Sequence, residues 1–407
     1  MTPIWNTIII GGGAAGFFTA INLKEQAPNH RVLILEKGKE LLKKVAISGG
    51  GRCNVTHACF EPRELVKHYP RGEQELRGPF HQFCTGDMMG WLDDRGVPTK
   101  IEEDNRVFPA SNSSQSIIDC FMDYANKLDL KINLHQRLDS IHFNKHWHLL
   151  CGEHSYEAEH VVFATGSSPQ VWQVIERDLG HRIISPVPSL FTFNCKDTRI
   201  ESLMGLSVPH AQVKVKNEKL ISEGPLLITH WGFSGPAILK LSAWGALQLN
   251  KINYQFDIQI NWLGHISPEA CIDELVRSKN AESKKMIRKN PLFDLPKRLW
   301  ENLVLHALDK SDKNWADISK AEIQKLRDEL TAGSYSIKGK STFKDEFVTA
   351  GGVELSEINF KRFESKLHPR LYFAGEVLNI DAITGGFNFQ AAWTGAWIIA
   401  KSIAQSS

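Results

Sequence analysis

A chain of 407 residues exceeds what one hydrophobic core usually organises, so two or more domains are expected. Its 48 Lys and Arg against 46 Asp and Glu leave a formal charge of +2, which neither demands nor excludes a nucleic-acid partner and leaves that role to a local patch. Seven scattered cysteines, odd in number and without a repeated pair spacing, argue against a disulfide framework or a zinc cluster and suit a reducing cytoplasm.

The first strand begins almost at Met1, leaving no room for a cleavable leader, and no window approaches the roughly 20 consecutive apolar residues of a membrane span. A cytoplasmic protein with no membrane partner and no metal is expected. Residues 6–36 then read as one device. The apolar run Thr7-Ile8-Ile9-Ile10 enters Gly11-Gly12-Gly13-Ala14-Ala15-Gly16, a helical stretch follows, and Arg31 to Leu35 ends in Glu36. A strand, a glycine turn, a helix and a second strand closed by an acid form the dinucleotide fingerprint. Gly11 permits the tight turn, Gly13 lets the backbone approach a pyrophosphate, Gly16 brings the helix onto the strand, and Glu36 accepts from a ribose diol. Ala14 and Ala15 open the helix, whose free N–H groups supply an anion site, and Lys37 follows the acid beside it.

Glu40 to Asn54 carries a second glycine cluster, Ser48-Gly49-Gly50-Gly51-Arg52-Cys53-Asn54. Three consecutive glycines are incompatible with an ordinary helix, so a loop is expected that wraps the dinucleotide, with Arg52 offering a cation and Cys53 a proton or a thiolate. The plain alternative is a glycine turn around an inert buried thiol. Polar and helical sequence runs on to about residue 130, broken at Phe108-Pro109; Arg106 and Phe108 are candidate substrate contacts. Strand-like runs at 131–134 and 146–151 precede His160-Val161-Val162-Phe163-Ala164-Thr165-Gly166. That run is a buried-strand pattern whose glycine turn places Ala164, Thr165 and Gly166 beside the nucleotide.

Between about 187 and 350 the texture changes. Ala211, Val213 and Val215 alternate with Gln212, Lys214 and Lys216, and Phe256, Ile258 and Ile260 with Asp257 and Gln259, as half-buried antiparallel strands do. Ser267 to Leu330 is helical and strongly charged, opening with the cap-like Ser267-Pro268-Glu269. The chain then returns with Leu371 to Ala374, a strand ending in Gly375-Glu376. Such a late pair holds the ribityl chain and second phosphate in many two-domain flavoproteins, so the expected dinucleotide is FAD. Gly385-Gly386-Phe387-Asn388-Phe389-Gln390 leads into a closing helix, Phe389 to Ala404, with N–H groups suited to the flavin pyrimidine edge. Asn388 and Gln390 either bond that edge or cap the helix. No second complete glycine fingerprint follows a strand, so NAD(P)H, as reductant, is expected to dock only transiently.

The blocks at 48–54 and 106–109, Thr229-His230-Trp231-Gly232-Phe233-Ser234-Gly235-Pro236, Thr349-Ala350-Gly351-Gly352-Val353 and the segments 375–376 and 385–390 together resemble the BaiN/YhiN-like family of bacterial NAD(P)/FAD-dependent oxidoreductases. The resemblance spans nearly the whole chain in order. It implies an α/β fold: a Rossmann-like FAD-binding domain of the two-dinucleotide-binding flavoprotein type, with an inserted β-barrel domain and a small helical domain. The expected boundaries are 1–187 with 351–407 for the FAD domain, 188–266 with 331–350 for the barrel, and 267–330 for the helical insertion. One branch of that family is linked to reduction of a uridine in large-subunit ribosomal RNA to dihydrouridine, while others act on small molecules.

His230, beside Gly232 and Ser234-Gly235-Pro236, and Cys53 are the candidate catalytic proton donors; a histidine bonded into a domain seam is the alternative for the first. Between residues 277 and 290 six cations face one acid. Arg277, Lys284, Lys285, Arg288 and Lys289 are therefore candidate contacts to an RNA backbone, against the alternative of a solvated charged face. The expected activity is transfer of hydride from NAD(P)H through FAD to an electron-poor acceptor, with ribosomal RNA as candidate partner. A small-molecule flavin oxidase or reductase and a non-catalytic FAD-binding sensor or assembly protein remain open alternatives.

Overall fold

The computed structural model describes residues 4–341 and 348–406. The chain divides into two compact units, Met1–Val187 with Val348–Ser407, and Pro188–Phe347. Residues 1–3 and 407 of the expected FAD domain, and 342–347 of the expected barrel, lie outside the described residues.

In the first unit, β1 (Ile4–Ile10) leads through the glycine turn into α1 (Ala14–Gln26), which returns to β2 (Val32–Leu35). β1 is the centre of a parallel core, with β2 on one side, in register Thr7↔Val32 to Ile10↔Leu35, and the strand His154–Phe163 on the other. Leu371–Phe373 then pairs parallel with the far edge of His154–Phe163, Phe373 opposite Phe163. This parallel order places the ends of three strands, at Gly11, Ala164 and Ala374, at the same edge of the sheet, where ligands of open α/β sheets bind. Ile8, Ile9, Val161, Val162 and Phe373 are all fully buried, as strands of a parallel core covered on both faces are. Phe18 of α1 meets Trp393 of the closing helix Phe387–Ala404 at 5.3 Å between ring centroids. Burying each such ring contributes roughly 1.5–3 kcal/mol, so the two ends of the chain are held by their own core.

Three features depart from the sequence reading. The stretch before residue 130 contains a three-stranded sheet, Thr56–His57, Arg106–Pro109 and Thr99–Ile101, whose strands are too short for a readable period. The closing helix starts two residues earlier than expected, at Phe387. Ser48–Gly51 also closes α2 (Lys43–Gly51) by hydrogen bonding, although Ser48 is extended and Gly49 and Gly50 are left-handed, so its backbone follows the expected loop.

The second unit carries a seven-stranded antiparallel sheet running from Gly333–Lys338 to Lys340–Ser341. Those edge strands are consecutive in the chain across Gly339, so the sheet curls back on itself. Val213, Val215, Ile258 and Ile260 point into its core as the alternation requires. The charged insertion forms the helices Pro268–Ala281, Lys297–Ala307 and Lys320–Ala332. Ser267 and Ser319 cap the first and third by accepting from Ala270 N–H and Glu322 N–H. Trp300, Leu303 and Leu326 of these helices share one continuous core with Val213 and Ile260 of the sheet, so residues 267–330 have no separate core. Val348–Ala350, expected in the barrel, pack in the first unit.

Candidate dinucleotide-binding cleft

Each glycine of the turn has its own reason. Gly11 sits at φ +113°, and a Cβ there would stand 2.4 Å from the Ala164 carbonyl oxygen. A Cβ on Gly16 would stand 2.0 Å from the Gly11 carbonyl oxygen, so Gly16 sets how closely α1 packs on the turn and does not line the cleft. Gly13, which caps α1, has no atom within 4 Å of an added Cβ. No packing constraint keeps Gly13 side-chain-free; its open side faces the cleft, as a close-approaching pyrophosphate requires.

Glu36 faces the same space. Its Oε2 accepts from Gly12 N–H at 2.7 Å and its Oε1 from Gly38 N–H at 2.8 Å, which fixes the carboxylate while each oxygen keeps a lone pair for a ribose hydroxyl. Beside it Lys37 donates to Ser168 Oγ at 3.3 Å. The cleft measures 520 Å³ and is bordered by Gly11, Gly13, Ala14 and Ala15, by Glu36 and Lys37, and by Ala164, Thr165 and Gly166. At its other end lie Gly375, Glu376 and Asn388, from the last quarter of the chain. Lys44 at the mouth pairs with Glu376, which also accepts from Ser167 Oγ at 3.4 Å. Lys39, Lys43, Lys44, Ser167 and Phe389 border the cleft and were missed from the sequence. The lysine-rich run at 37–44 was the available signal for the first three. Helix N–H groups and lysines as donors, with a fixed carboxylate as acceptor, fit the pyrophosphate and ribose of a dinucleotide.

Several expected cofactor contacts are not among the cleft-lining residues. Gly49 is packed against Asn54 N and the Phe108 ring, each 3.0 Å from an added Cβ, and Gly50 and Gly51 face open space outside the cleft. Cys53 is fully buried at φ +60°, and burial pushes its thiol up to about 12. It is therefore a protonated core thiol, not a thiolate. The Asn54 amide, in the orientation that satisfies its neighbours, accepts from Gly386 N–H at 2.9 Å. A Cβ on Gly386 would meet Thr56 at 2.5 Å, so this glycine is demanded by packing. Gly385 O lies 3.2 Å from His57 Nδ1, and buried Phe387 stacks on His57 and His68 at 4.4 and 4.3 Å. Asn388 lines the cleft yet spends its amide on both backbone groups of Ala382, and Gln390 is buried against Thr56 and Thr394.

The other candidates separate. Phe108 is fully buried beneath the Arg52 guanidinium, 3.9 Å from its centroid, so it serves as a stacking floor and not as a substrate contact. Arg52 binds Glu102 at 2.6 Å, and Arg106 binds Asp104 at 2.7 Å and reaches Glu102 at 3.6 Å. In the second unit His230 is exposed on the turn between Ile221–Thr229 and Gly232–Ser234. Of the basic run, Lys285 pairs with Glu282, the one acid inside the counted window, while Arg277 pairs with Glu274 and Arg288 with Asp312, two acids outside it. Lys284 and Lys289 are exposed.

Among the described residues no helix is long and apolar enough to cross a membrane. The HI0933-like protein Rossmann domain matches residues 5–402. The chain is 29% identical over 413 residues, 98% of each sequence, to a ribosomal RNA dihydrouridine synthase of Escherichia coli. It is 23% identical, again over 98% of each, to a 3-dehydro-bile acid delta(4,6)-reductase of Clostridium scindens. Among solved structures, the 3-ketosteroid delta1-dehydrogenase of Sterolibacterium denitrificans covers the whole of both chains with a TM-score of 0.51 at 11% identity, a likeness of fold.

Proposed function

The chain belongs to the HI0933-like family of Rossmann-domain proteins, and from that premise we propose that it is an FAD-dependent oxidoreductase that reduces a uridine of ribosomal RNA to dihydrouridine. The observation that carries this reading is the 29% identity to the dihydrouridine synthase along 98% of both chains, taken with a cleft whose two ends come from the fingerprint and from Gly375-Glu376. When bound, FAD supplies hydride transfer, which no side chain can perform.

The chain's own residues hold and orient. The Gly11–Ala15 backbone receives the pyrophosphate, Glu36 the ribose diol, and the lysines of 37–44 screen the phosphate charge. Glu376, held by Lys44 and Ser167, accepts in this reading from hydroxyls of the ribityl chain. Reduction of the uracil double bond also needs a proton at C5, and the buried Cys53 thiol is a poor source of one. His230, exposed on its turn, is the other candidate that the sequence offers for that proton. NAD(P)H is the external reductant, docking transiently.

Deleting the gene and digesting ribosomal RNA to nucleosides for mass spectrometry tests the assignment. Loss of dihydrouridine, restored by the wild-type gene and not by a copy unable to bind FAD, is expected; an unchanged level refutes it. The relation to the bile-acid reductase favours a second reading, saturation of a small conjugated ketone, which gains if the RNA is unchanged.

A further inference from the structure

The T-H-W-G block is left unexplained by the dinucleotide cleft. Thr229 pairs with Gly232, so His230 and Trp231 are the two central residues of a tight hairpin turn. Such turns favour Gly, Asn and Asp, which fit the backbone and prefer water. Here the tip carries two aromatic rings, 5.5 Å apart, and Trp231 is 52% exposed.

The turn is held firmly from below. Trp231 N–H donates to Thr229 Oγ1 at 3.2 Å, and the Trp231 carbonyl accepts from Cys195 N–H at 2.8 Å. Gly232, at φ +138°, lies so close to the neighbouring strand that a Cβ would stand 2.3 Å from Phe193 O. His230 Nδ1 faces the Met204 thioether at 2.8 Å, and Met204 is itself 61% exposed. Two residues before Met204, the Ser202 carbonyl accepts from the exposed Arg298 guanidinium, and Lys297 is exposed beside it. An exposed aromatic pair on a fixed turn thus adjoins cations in the same unit, with Glu201 the one exposed acid on the loop from Glu201 to Gly205.

We propose that the His230–Trp231 turn is a stacking platform for an unstacked base of single-stranded RNA, with Arg298 and Lys297 meeting the adjacent phosphate. The inference rests on the RNA-reductase reading and names a surface of the second unit that would hold single-stranded RNA. A π-face accepts any base, a turn whose backbone is already fixed loses little entropy on binding, and a base must leave its stack before its C5–C6 bond can be reduced.

The test uses the FAD-loaded full chain and fluorescence anisotropy with labelled single-stranded oligouridine and a duplex RNA of equal length at fixed salt. Trp231→Ala is expected to weaken single-strand binding about tenfold with little change for duplex, and Trp231→Phe to stay within about threefold of wild type. FAD absorbance and circular dichroism should match wild type in both, since the side chain is exposed. Wild-type affinity in Trp231→Ala, equal losses for single strand and duplex, or no single-strand binding by the wild type overturns the platform. So does a wild-type dimer in sedimentation that Trp231→Ala dissolves, which would make the patch a self-association surface. The platform and the enzymatic reading fail separately. Dihydrouridine retained in the deletion strain defeats the latter even if Trp231 binds RNA, and a Trp231-independent affinity defeats the former even if dihydrouridine is lost.

Discussion

The Glu36 carboxylate, at the end of the second strand, accepts the backbone N–H of Gly12, at the end of the first, at 2.7 Å. The acid that would hold the ribose is thus tied to the turn that would hold the pyrophosphate. Glu36→Gln would replace one charged acceptor with an amide N–H₂ facing a backbone donor, leaving Gly12 or Gly38 unsatisfied. We expect about 1–3 kcal/mol of lost stability, read by urea unfolding, together with loss of FAD on gel filtration.

Gly11 and Gly13 should behave oppositely. Gly11→Ala forces a side chain into the Ala164 carbonyl at a φ that disfavours it, and should cost at least about 2 kcal/mol in the apoprotein. Gly13→Ala meets no protein atom, so apoprotein stability should stay within about 1 kcal/mol of wild type while FAD affinity falls at least tenfold. Urea unfolding of the apoprotein and FAD titration separate the two effects.

Buried thiols predict alkaline weakening. Burial pushes Cys53, Cys151, Cys195 and Cys271 up to about 12 from an ordinary 9.0, so between those values the unfolded chain loses protons that the folded one keeps. Stability should therefore fall as pH rises above 9, measurable as a declining unfolding midpoint. Cys53→Ala should keep the turnover rate, because the thiol is enclosed; a rate loss above tenfold at full FAD occupancy would restore it to the chemistry.

His160 predicts the acid side. It is buried beside Tyr372, and burial lowers its pKa from 6.5 to about 4. Between those values the unfolded state takes up a proton that the folded state refuses, so stability falls as pH drops from 6.5, by about 3 kcal/mol at pH 4. His160→Phe should flatten that limb of the unfolding profile, with other histidines and the carboxylates still contributing.

If the helical insertion contacts RNA, the exposed Lys284 and Lys289 carry more of that contact than Arg277, Lys285 or Arg288, which are engaged by acids. Lys284→Ala with Lys289→Ala should shrink the salt slope of RNA affinity by about 1.4, and Arg277→Ala by less. Equal slopes in all variants would show the run to be a solvated face.

The sequence by itself determined the strand–turn–helix–strand of residues 6–36, the alternating strands around Val213 and Ile258, and the capped helix after Ser267, because each is written as a local period or as a residue required by a local backbone angle. Tertiary structure alone decided that Lys43, Lys44 and Ser167 border the cleft that Glu36 and Glu376 share, that Cys53 and Phe108 are core, and that Gly386 serves packing against Thr56. It also decided that half of the basic run is neutralised by acids such as Asp312, twenty-four residues from Arg288. Burial and charge partners depend on segments distant in the chain meeting in space, and no period within a segment records which neighbour it will meet.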